Sequence, residues 1–205
     1  ASIAIGKNSL AAQNTSGDGF NTAVGFAAGA AITTGINNTI VGSLAGDALT
    51  DSDFNVAVGY ATLSTDTLGT QSTAVGYSAL ASQNFTTATE SHNTAVGYIA
   101  GNAITTGRLQ TLVGSLAGYR LTTGDLNTAV GYGALQTETK GDRAVAIGVG
   151  ALGAQNKTTN VDTYNVGVGL NAGAAITTGV RNTFVGGLSG DGTDDGADNV
   201  GVGYG

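Results

Sequence analysis

Residues 93–98 read NTAVGY, and the same six residues recur at 127–132. Near-copies begin at residues 21 (NTAVGF), 38 (NTIVGS), 55 (NVAVGY), 72 (STAVGY) and 199 (NVGVGY). A catalytic site is normally written once in a chain, whereas a scaffold is built by repeating one unit. The recurrence of this string therefore favours a structural repeat over a catalytic motif.

The glycine in each copy of the string serves as an anchor for measuring the repeat. The spacings between successive anchors run 19, 17, 17, 17, 21, 17, 17, 17, 21, 17 and 17, and the anchors are Gly6, Gly25, Gly42, Gly59, Gly76, Gly97, Gly114, Gly131, Gly148, Gly169, Gly186 and Gly203. The pentapeptide AITTG also recurs, at residues 31, 103 and 175, which are 72 apart. The chain is therefore a tandem array of a four-coil cassette.

The positions before each anchor alternate in character with a period of two. Positions −3 and −1 hold β-branched residues in every copy, position −2 is small in most copies, and position −4 is Asn in eight. This alternation is typical of a β-strand. We expect Thr94 and Val96 to fill the core, and Ala95 and Gly97 to allow another surface to approach closely. We expect Asn93 to set the turn before the strand, because Asn tolerates the left-handed conformation.

The same roles are assigned in a later coil to Asn127, Val130 and Gly131. A single coil of this spacing is too short to bury its own apolar face, but stacked coils bury a continuous core. The sequence therefore predicts an all-β fold, a parallel β-solenoid of about twelve coils that spans residues 1–205 as a single domain. Coils stacked about 4.8 Å apart make a rod roughly 55 Å long, with a Val column and an Asn ladder.

Such coils are thin, and each contributes few large apolar side chains, such as Val96 and Ile104. A rod of this kind leaves a long stripe of Ala, Gly and aromatic residues exposed. Because a contiguous apolar stripe normally marks an interface, we expect the chain to associate with itself as a homotrimer. The chain begins and ends within the repeat pattern, so we also expect it to be a segment of a longer fibre.

Composition argues against several other classes of protein. The chain has 35 Gly, no Cys, 10% charged residues and a net charge of −7. Its seven basic residues are scattered, so we expect no nucleic-acid partner. No apolar run approaches the length of a membrane span, so we expect no membrane insertion. No catalytic triad, phosphate-binding loop or metal-spaced His and Cys pattern is present, so we predict neither enzymatic activity nor a cofactor.

The strings NTAVGYGAL (127–135) and STAVGYSAL (72–80) resemble the repeat of the heads of trimeric autotransporter adhesins, and similar strings occur in bacteriophage tail-fibre proteins. The resemblance covers essentially the whole chain. It implies a left-handed β-roll, a homotrimer, and an extracellular or virion-surface fibre that contacts a host surface. The coils here are longer than those of the adhesin heads and form a tandem cassette, which favours a tail fibre.

The two longest coils, which end at Gly97 and Gly169, carry their extra residues as the polar stretches ASQNFTTATESH (81–92) and GAQNKTTNVDTY (153–164). Polar loops on a rigid scaffold are natural contact points for a partner. The candidate receptor contacts, to a host glycan or protein, are Asn84, Phe85, His92, Asn156, Lys157 and Tyr164. The alternative is that both stretches are tolerated insertions without a partner.

Two further features have competing interpretations. The position after the anchor is often aromatic, which suits either stacking on sugar rings or packing against neighbouring chains; it holds Phe26, Tyr60, Tyr77, Tyr98, Tyr132 and Tyr204. The stretch GDGTDDGAD (190–198) has the ingredients of a calcium loop but lacks the closing Glu of an EF-hand, so a solvated turn is the alternative. Its weak calcium candidates are Asp191, Asp194, Asp195 and Asp198.

The sequence thus predicts a structural and adhesive fibre module for host attachment, located on a virion or cell surface. A passive fibre spacer is the main alternative. An ice-binding solenoid is a third hypothesis, because Thr recurs at residues 22, 39, 73, 94, 111, 128 and 183, although the neighbouring column is Val or Ile. A polysaccharide-degrading β-helix is disfavoured because no isolated pair of carboxylates stands out.

Overall fold

The computed structural model describes residues 1–14 and 18–205, and over these residues the chain is a parallel β-solenoid without a helix. Its strands are short because each coil turns sharply on both sides of the NTAVGY string. The strands are β1 (Ile3–Ile5), β2 (Thr22–Val24), β3 (Thr39–Val41), β4 (Val56–Val58), β5 (Gly69–Thr70), β6 (Thr73–Val75), β7 (Thr89–Glu90), β8 (Thr94–Val96), β9 (Thr111–Val113), β10 (Thr128–Val130), β11 (Gly141–Asp142), β12 (Val145–Ile147), β13 (Val161–Asp162), β14 (Val166–Val168), β15 (Thr183–Val185) and β16 (Val200–Val202).

Twelve of these strands form one parallel sheet along the rod, in the order β1-β2-β3-β4-β6-β8-β9-β10-β12-β14-β15-β16. Equivalent residues of successive coils face each other, so that Thr94 pairs with Thr111 and Val96 with Val113. Each anchor-centred string therefore stacks on the next copy of itself. The predicted solenoid of about twelve coils and its stacked columns are confirmed.

The direction in which each strand faces is the opposite of the prediction. Ala95 is fully buried, whereas 36% of Val96 is exposed, and Val130 is only partly buried. The interior of a coil is narrow, and other segments supply its large side chains, so only a small residue fits at position −2 in most coils. The β-branched residues at −3 and −1 consequently point outward, and the prediction that Val96 fills the core is wrong.

Large core side chains come from two columns, one four and one seven residues after the anchor. A given coil uses at most one of the two columns. Some coils place Leu four residues after the anchor, such as Leu80, and others place Gly there and Ile or Leu seven residues after it, such as Gly101 and Ile104. A Cβ atom on Gly101 would lie 3.0 Å from Cδ1 of Ile104 and 2.7 Å from Cδ1 of Leu112. The side chain that reaches in from the later position thus occupies the space of the missing Leu.

The asparagine column is a buried ladder that ties successive coils together. Asn93 donates from Nδ2 to the carbonyl oxygen of Gly107 (2.8 Å), and its Oδ1 accepts from the amide of Gln110 (3.0 Å). Asn127 repeats the pattern with Gly141 and Ala144. The left-handed conformation expected of Asn93 belongs instead to the preceding residue, His92 (φ 51°). The ladder is confirmed, but Asn acts by bonding the next coil rather than by turning its own backbone.

The anchor glycines permit the close approach that their pattern predicts. Gly97 has φ 144°, and a Cβ atom there would lie 2.5 Å from the carbonyl oxygen of Gly114 in the next coil. Gly131 has φ 132°, and a Cβ atom on it would lie 2.6 Å from the carbonyl oxygen of Gly148 in the same way. Side chains at these positions would separate the stacked coils, which explains why the anchor never varies.

Candidate functional site

The two longest coils use their extra residues to widen the rod. Strand β7 pairs with β5 of the preceding coil, and β13 pairs with β11 in the same way. Each stretch thus forms one side of a two-stranded parallel sheet beside the main sheet. We call these two features the first wide coil (residues 81–92) and the second wide coil (residues 153–164).

A buried carboxylate fixes the start of the first wide coil through hydrogen bonds. Asp66 has no exposed surface; its Oδ1 accepts from the amides of Gly69 (3.1 Å) and Phe85 (2.9 Å), and its Oδ2 accepts from Nε2 of Gln83 (2.6 Å). Gln83 in turn accepts from Nδ2 of Asn93 at 2.8 Å. The carboxylate therefore joins β5, the start of the wide coil and the asparagine ladder.

Glu138 has the same role one full cassette later. Its Oε1 accepts from the amides of Gly141 and Lys157, each at 2.8 Å, and its Oε2 accepts from Nε2 of Gln155, also at 2.8 Å. Neither carboxylate was predicted from the sequence. The available signal was an acidic residue seven positions after an anchor, where other coils place Ile, Leu, Gln or Thr, repeated after one full cassette.

Two of the candidate receptor residues point inward, which corrects their predicted role. Phe85 is only 6% exposed, and a Cβ atom on Gly69 would lie 2.9 Å from its ring. Lys157 occupies the equivalent place and is also 6% exposed; its Nζ donates to the carbonyl oxygens of Thr178 and Gly179. Burial lowers the pKa of Lys157, against the attraction of Glu138. Both side chains fill the base of a wide coil and are not presented to a receptor.

The other two candidates of the first wide coil differ from each other in exposure. His92 is exposed, and its Nε2 lies 3.5 Å from Oε2 of Glu90. Asn84 is partly buried, and its Oδ1 accepts from Oγ1 of Thr67 at 3.4 Å. Only His92 is therefore well placed to meet a partner.

The exposed candidates of the second wide coil are engaged with their own chain. Oδ1 of Asn156 accepts from Oγ1 of Thr139 at 3.0 Å. The hydroxyl of Tyr164 donates to Oδ2 of Asp162 at 3.0 Å, and its ring lies 5.8 Å from the guanidinium carbon of Arg143. These contacts hold both side chains against the rod surface.

Two surface pockets flank the outer edge of the first wide coil at Ala88, Thr89 and Glu90. One has a volume of about 400 Å³ and is also lined by His92, Arg108 and Leu109. The other has a volume of about 300 Å³ and is also lined by Asp53, Phe54, Thr70 and Gln71. The edge of the wide coil thus forms a ridge with a hollow on each side.

The outward face of the main sheet is an uncharged stripe along the whole rod. All its −3 and −1 positions are Thr, Val or Ile, and several are well exposed, such as Ile5, Val113, Ile147 and Val185. The stripe lies on the face opposite to the one predicted, because the small residues are inside. We call it the Val/Thr face.

Three of the six aromatic residues after the anchors, Tyr60, Tyr77 and Tyr98, stack on one another beside the Val/Thr face. The ring centroids of Tyr60 and Tyr77 are 5.4 Å apart at an interplanar angle of 14°, and those of Tyr77 and Tyr98 are 5.4 Å apart at 19°. A stacked ring covers its neighbour's face and leaves mainly its edge outward. This arrangement favours packing against a neighbouring chain over stacking on sugar rings.

The Asp-rich turn near the C-terminal end does not gather its carboxylates. Arg181 pairs with both carboxylate oxygens of Asp198 (2.6 and 2.7 Å), and this hydrogen bonding lowers the pKa of Asp198. Asp194 accepts from Oγ1 of Thr177. Over residues 1–14 and 18–205, no three His, Cys, Asp or Glu residues are grouped so that they would hold a metal ion. The calcium candidates Asp191, Asp194, Asp195 and Asp198 therefore do not form a common site.

No helix in the described part of the chain is long and apolar enough to span a membrane. Comparison with family models, with curated proteins and with solved structures found no match for this chain. The resemblance to adhesin heads and tail fibres therefore stays a prediction from the repeat strings.

Proposed function

We propose that the chain is a structural and adhesive fibre module of a phage tail fibre or a cell-surface adhesin. In this role it associates with itself as a homotrimer on a virion or cell surface. The observation that carries the proposal is the Val/Thr face, which is uncharged at both outward columns of every coil. Its −1 column is Val or Ile in every coil, and a contiguous apolar strip of this length is typical of an interface.

The dimensions of the face suit a stable association. The sheet is roughly 55 Å long and, over the six residues from the turn to the aromatic column, about 20 Å wide. The resulting area of about 1,000 Å² per chain compares with about 800 Å² per partner in a standard interface. A second copy of the chain has the same spacing between its coils. Its Val/Thr face can therefore pack against this one at every coil.

A direct test is the mass of the chain in solution, by light scattering or native mass spectrometry. We expect three times the chain mass of 20.0 kDa. Val96→Asp places a charge in the middle of the Val/Thr face and should dissociate the assembly, because an unpaired charge is costly to bury. Thr106→Asp, on an exposed position away from this face, is the matched control and should leave the mass unchanged. A wild-type chain that stays at the monomer mass would exclude the homotrimer.

Because the Thr column faces outward, ice binding is a second candidate function. Thr22, Thr94 and Thr128 lie on the outer side of a regular sheet, as an ice-binding face requires, although Val or Ile fills the neighbouring column. A monomer that shapes ice crystals, and that loses this activity in Thr94→Asp, would support ice binding instead of attachment. A trimer that neither attaches to cells nor binds a surface saccharide would instead be a passive spacer.

A further inference from the structure

The two wide coils pair with the preceding coil in the same way, but their surface side chains differ. Those of the second wide coil are bonded to the rod, whereas several of those around the first are not. In the second wide coil, the guanidinium of Arg143 pairs with Asp162, which also accepts from Tyr164. Asn160 bonds Thr123 twice, through Nδ2 to the carbonyl oxygen (3.0 Å) and through Oδ1 from Oγ1 (2.8 Å). Both contacts reach coils that precede the second wide coil and cover the surface on that side of its edge.

In the first wide coil the equivalent positions leave polar groups free. Glu90 stands where Asp162 stands, Gln71 replaces Arg143, and Ala88 replaces Asn160. The side chains of Gln71 and Arg108 make no hydrogen bond to the part of the chain that the structure describes. The side chain of Glu90 is 69% exposed, and its Oε2 lies 3.5 Å from Nε2 of His92.

We propose that the ridge of the first wide coil, with its two flanking pockets, binds a saccharide of the host surface. The site offers acceptors on Glu90 and Asp53, and both donors and acceptors on the planar amide of Gln71. Such groups bond neighbouring hydroxyls of a sugar ring, while the exposed ring of Phe54 supplies an apolar wall for its carbon face.

The charges around the ridge favour a neutral, polyhydroxylated ligand over an anion. Glu90 lines both pockets, and Asp53 lines the smaller one, whereas Arg108 lines the larger one. A phosphate or an acidic peptide would be repelled by the carboxylate that the two pockets share. A saccharide, which carries hydroxyl donors, instead uses that carboxylate as an acceptor.

This inference rests on the proposed attachment function and assigns its ligand class. The test is a printed array of bacterial surface polysaccharides and oligosaccharides probed with the labelled full chain. Calorimetry with the best-bound saccharide then compares the variants. We expect Glu90→Ala and Phe54→Ala to weaken binding at least tenfold. The matched control Asp162→Ala, one cassette later, should stay within twofold of wild type.

Circular dichroism of each variant shows whether the solenoid is intact. The site is overturned if no saccharide on the array binds, or if binding is unchanged in both Glu90→Ala and Phe54→Ala. These results are distinct from failure of the fibre itself. A trimer that attaches to cells equally well with and without Glu90 contradicts this site alone, whereas a monomer that does not attach contradicts the proposed function.

Discussion

Ala95 and Val96 are neighbours in one strand, yet they face opposite environments. Ala95 packs inside the coil, where its counterpart in the next coil is the fully buried Leu112. Val96 lies on the Val/Thr face. Alternation of side chains along a strand requires that only one of the two points inward. The narrow coil selects the smaller, because the larger core residues arrive from other segments.

This arrangement predicts that Ala95→Leu is the more harmful of two substitutions. A second Leu beside Leu112 overpacks the coil and should lower the free energy of unfolding by about 1–3 kcal/mol. Val96→Thr, which puts another β-branched residue on the outward face, should change the stability by less than about 0.5 kcal/mol. Urea unfolding of both variants at the same chain concentration measures the difference. A larger loss for Val96→Thr would contradict the assigned orientation.

The anchor glycine gives a second prediction, at Gly97. Gly97→Ala introduces a Cβ atom 2.5 Å from the carbonyl oxygen of Gly114, at a φ of 144°. Both the contact and the backbone conformation oppose a side chain, so the free energy of unfolding should fall by about 1–3 kcal/mol or more. Gly192→Ala is the control, because a Cβ atom there has no heavy atom within 4 Å. Equal thermal midpoints for the two variants would show that the coils can separate without cost.

The stability of each wide coil depends on the buried carboxylate that it bonds, Asp66 for the first and Glu138 for the second. Asp66→Asn keeps the shape of the side chain but turns one oxygen into a donor that faces Nε2 of Gln83. Because Gln83 already accepts from Asn93, the amide cannot rotate without leaving another donor unpaired. The expected loss is about 1–3 kcal/mol, the typical result of leaving a buried polar group without a partner.

Hydrogen exchange locates this effect within the molecule. The amides of Gly69 and Phe85, which both donate to Asp66, should exchange at least about fivefold faster in Asp66→Asn, in line with the expected free-energy loss. Asp195→Asn is a suitable control, because Asp195 is exposed and its side chain bonds none of the described residues. Unchanged exchange at Gly69 and Phe85 would mean that the pairing of β5 with β7 does not need the carboxylate.

Repetition explains which features of these coils the sequence predicts. The period, the parallel register, the asparagine ladder and the close approach at Gly97 follow from columns that recur along the chain. The inward direction of Ala95 does not, because alternation alone defines two faces without saying which one is covered. The burial of Phe85 and Lys157 was also missed, since extra length in a coil does not tell whether it extends outward or lies on the rod. The pairing of Asp66 with Gln83 was visible only as polar residues in a column, seven positions after the anchor, where other coils place Ile or Leu.

The whole rod combines a net charge of −7 with one long uncharged face. These two properties set the salt dependence of the proposed homotrimer. Assembly through the Val/Thr face brings no opposite charges together, whereas it brings three negatively charged chains close to one another. Salt screens that repulsion, because the Debye length falls from about 14 Å at about 0.05 M to about 4 Å at about 0.5 M.

We therefore expect added salt to leave the association unchanged or to tighten it. The dissociation constant, measured by sedimentation at about 0.05 M and about 0.5 M NaCl, should stay within about twofold or decrease, since the remaining repulsion is screened. Val96→Asp, which is expected to be dissociated at low salt, should regain association with added salt more than wild type does, because it adds one negative charge per chain to the centre of the interface. Dissociation of the wild-type assembly at high salt would show instead that ion pairs hold it together, and the Val/Thr face would then no longer account for the contact.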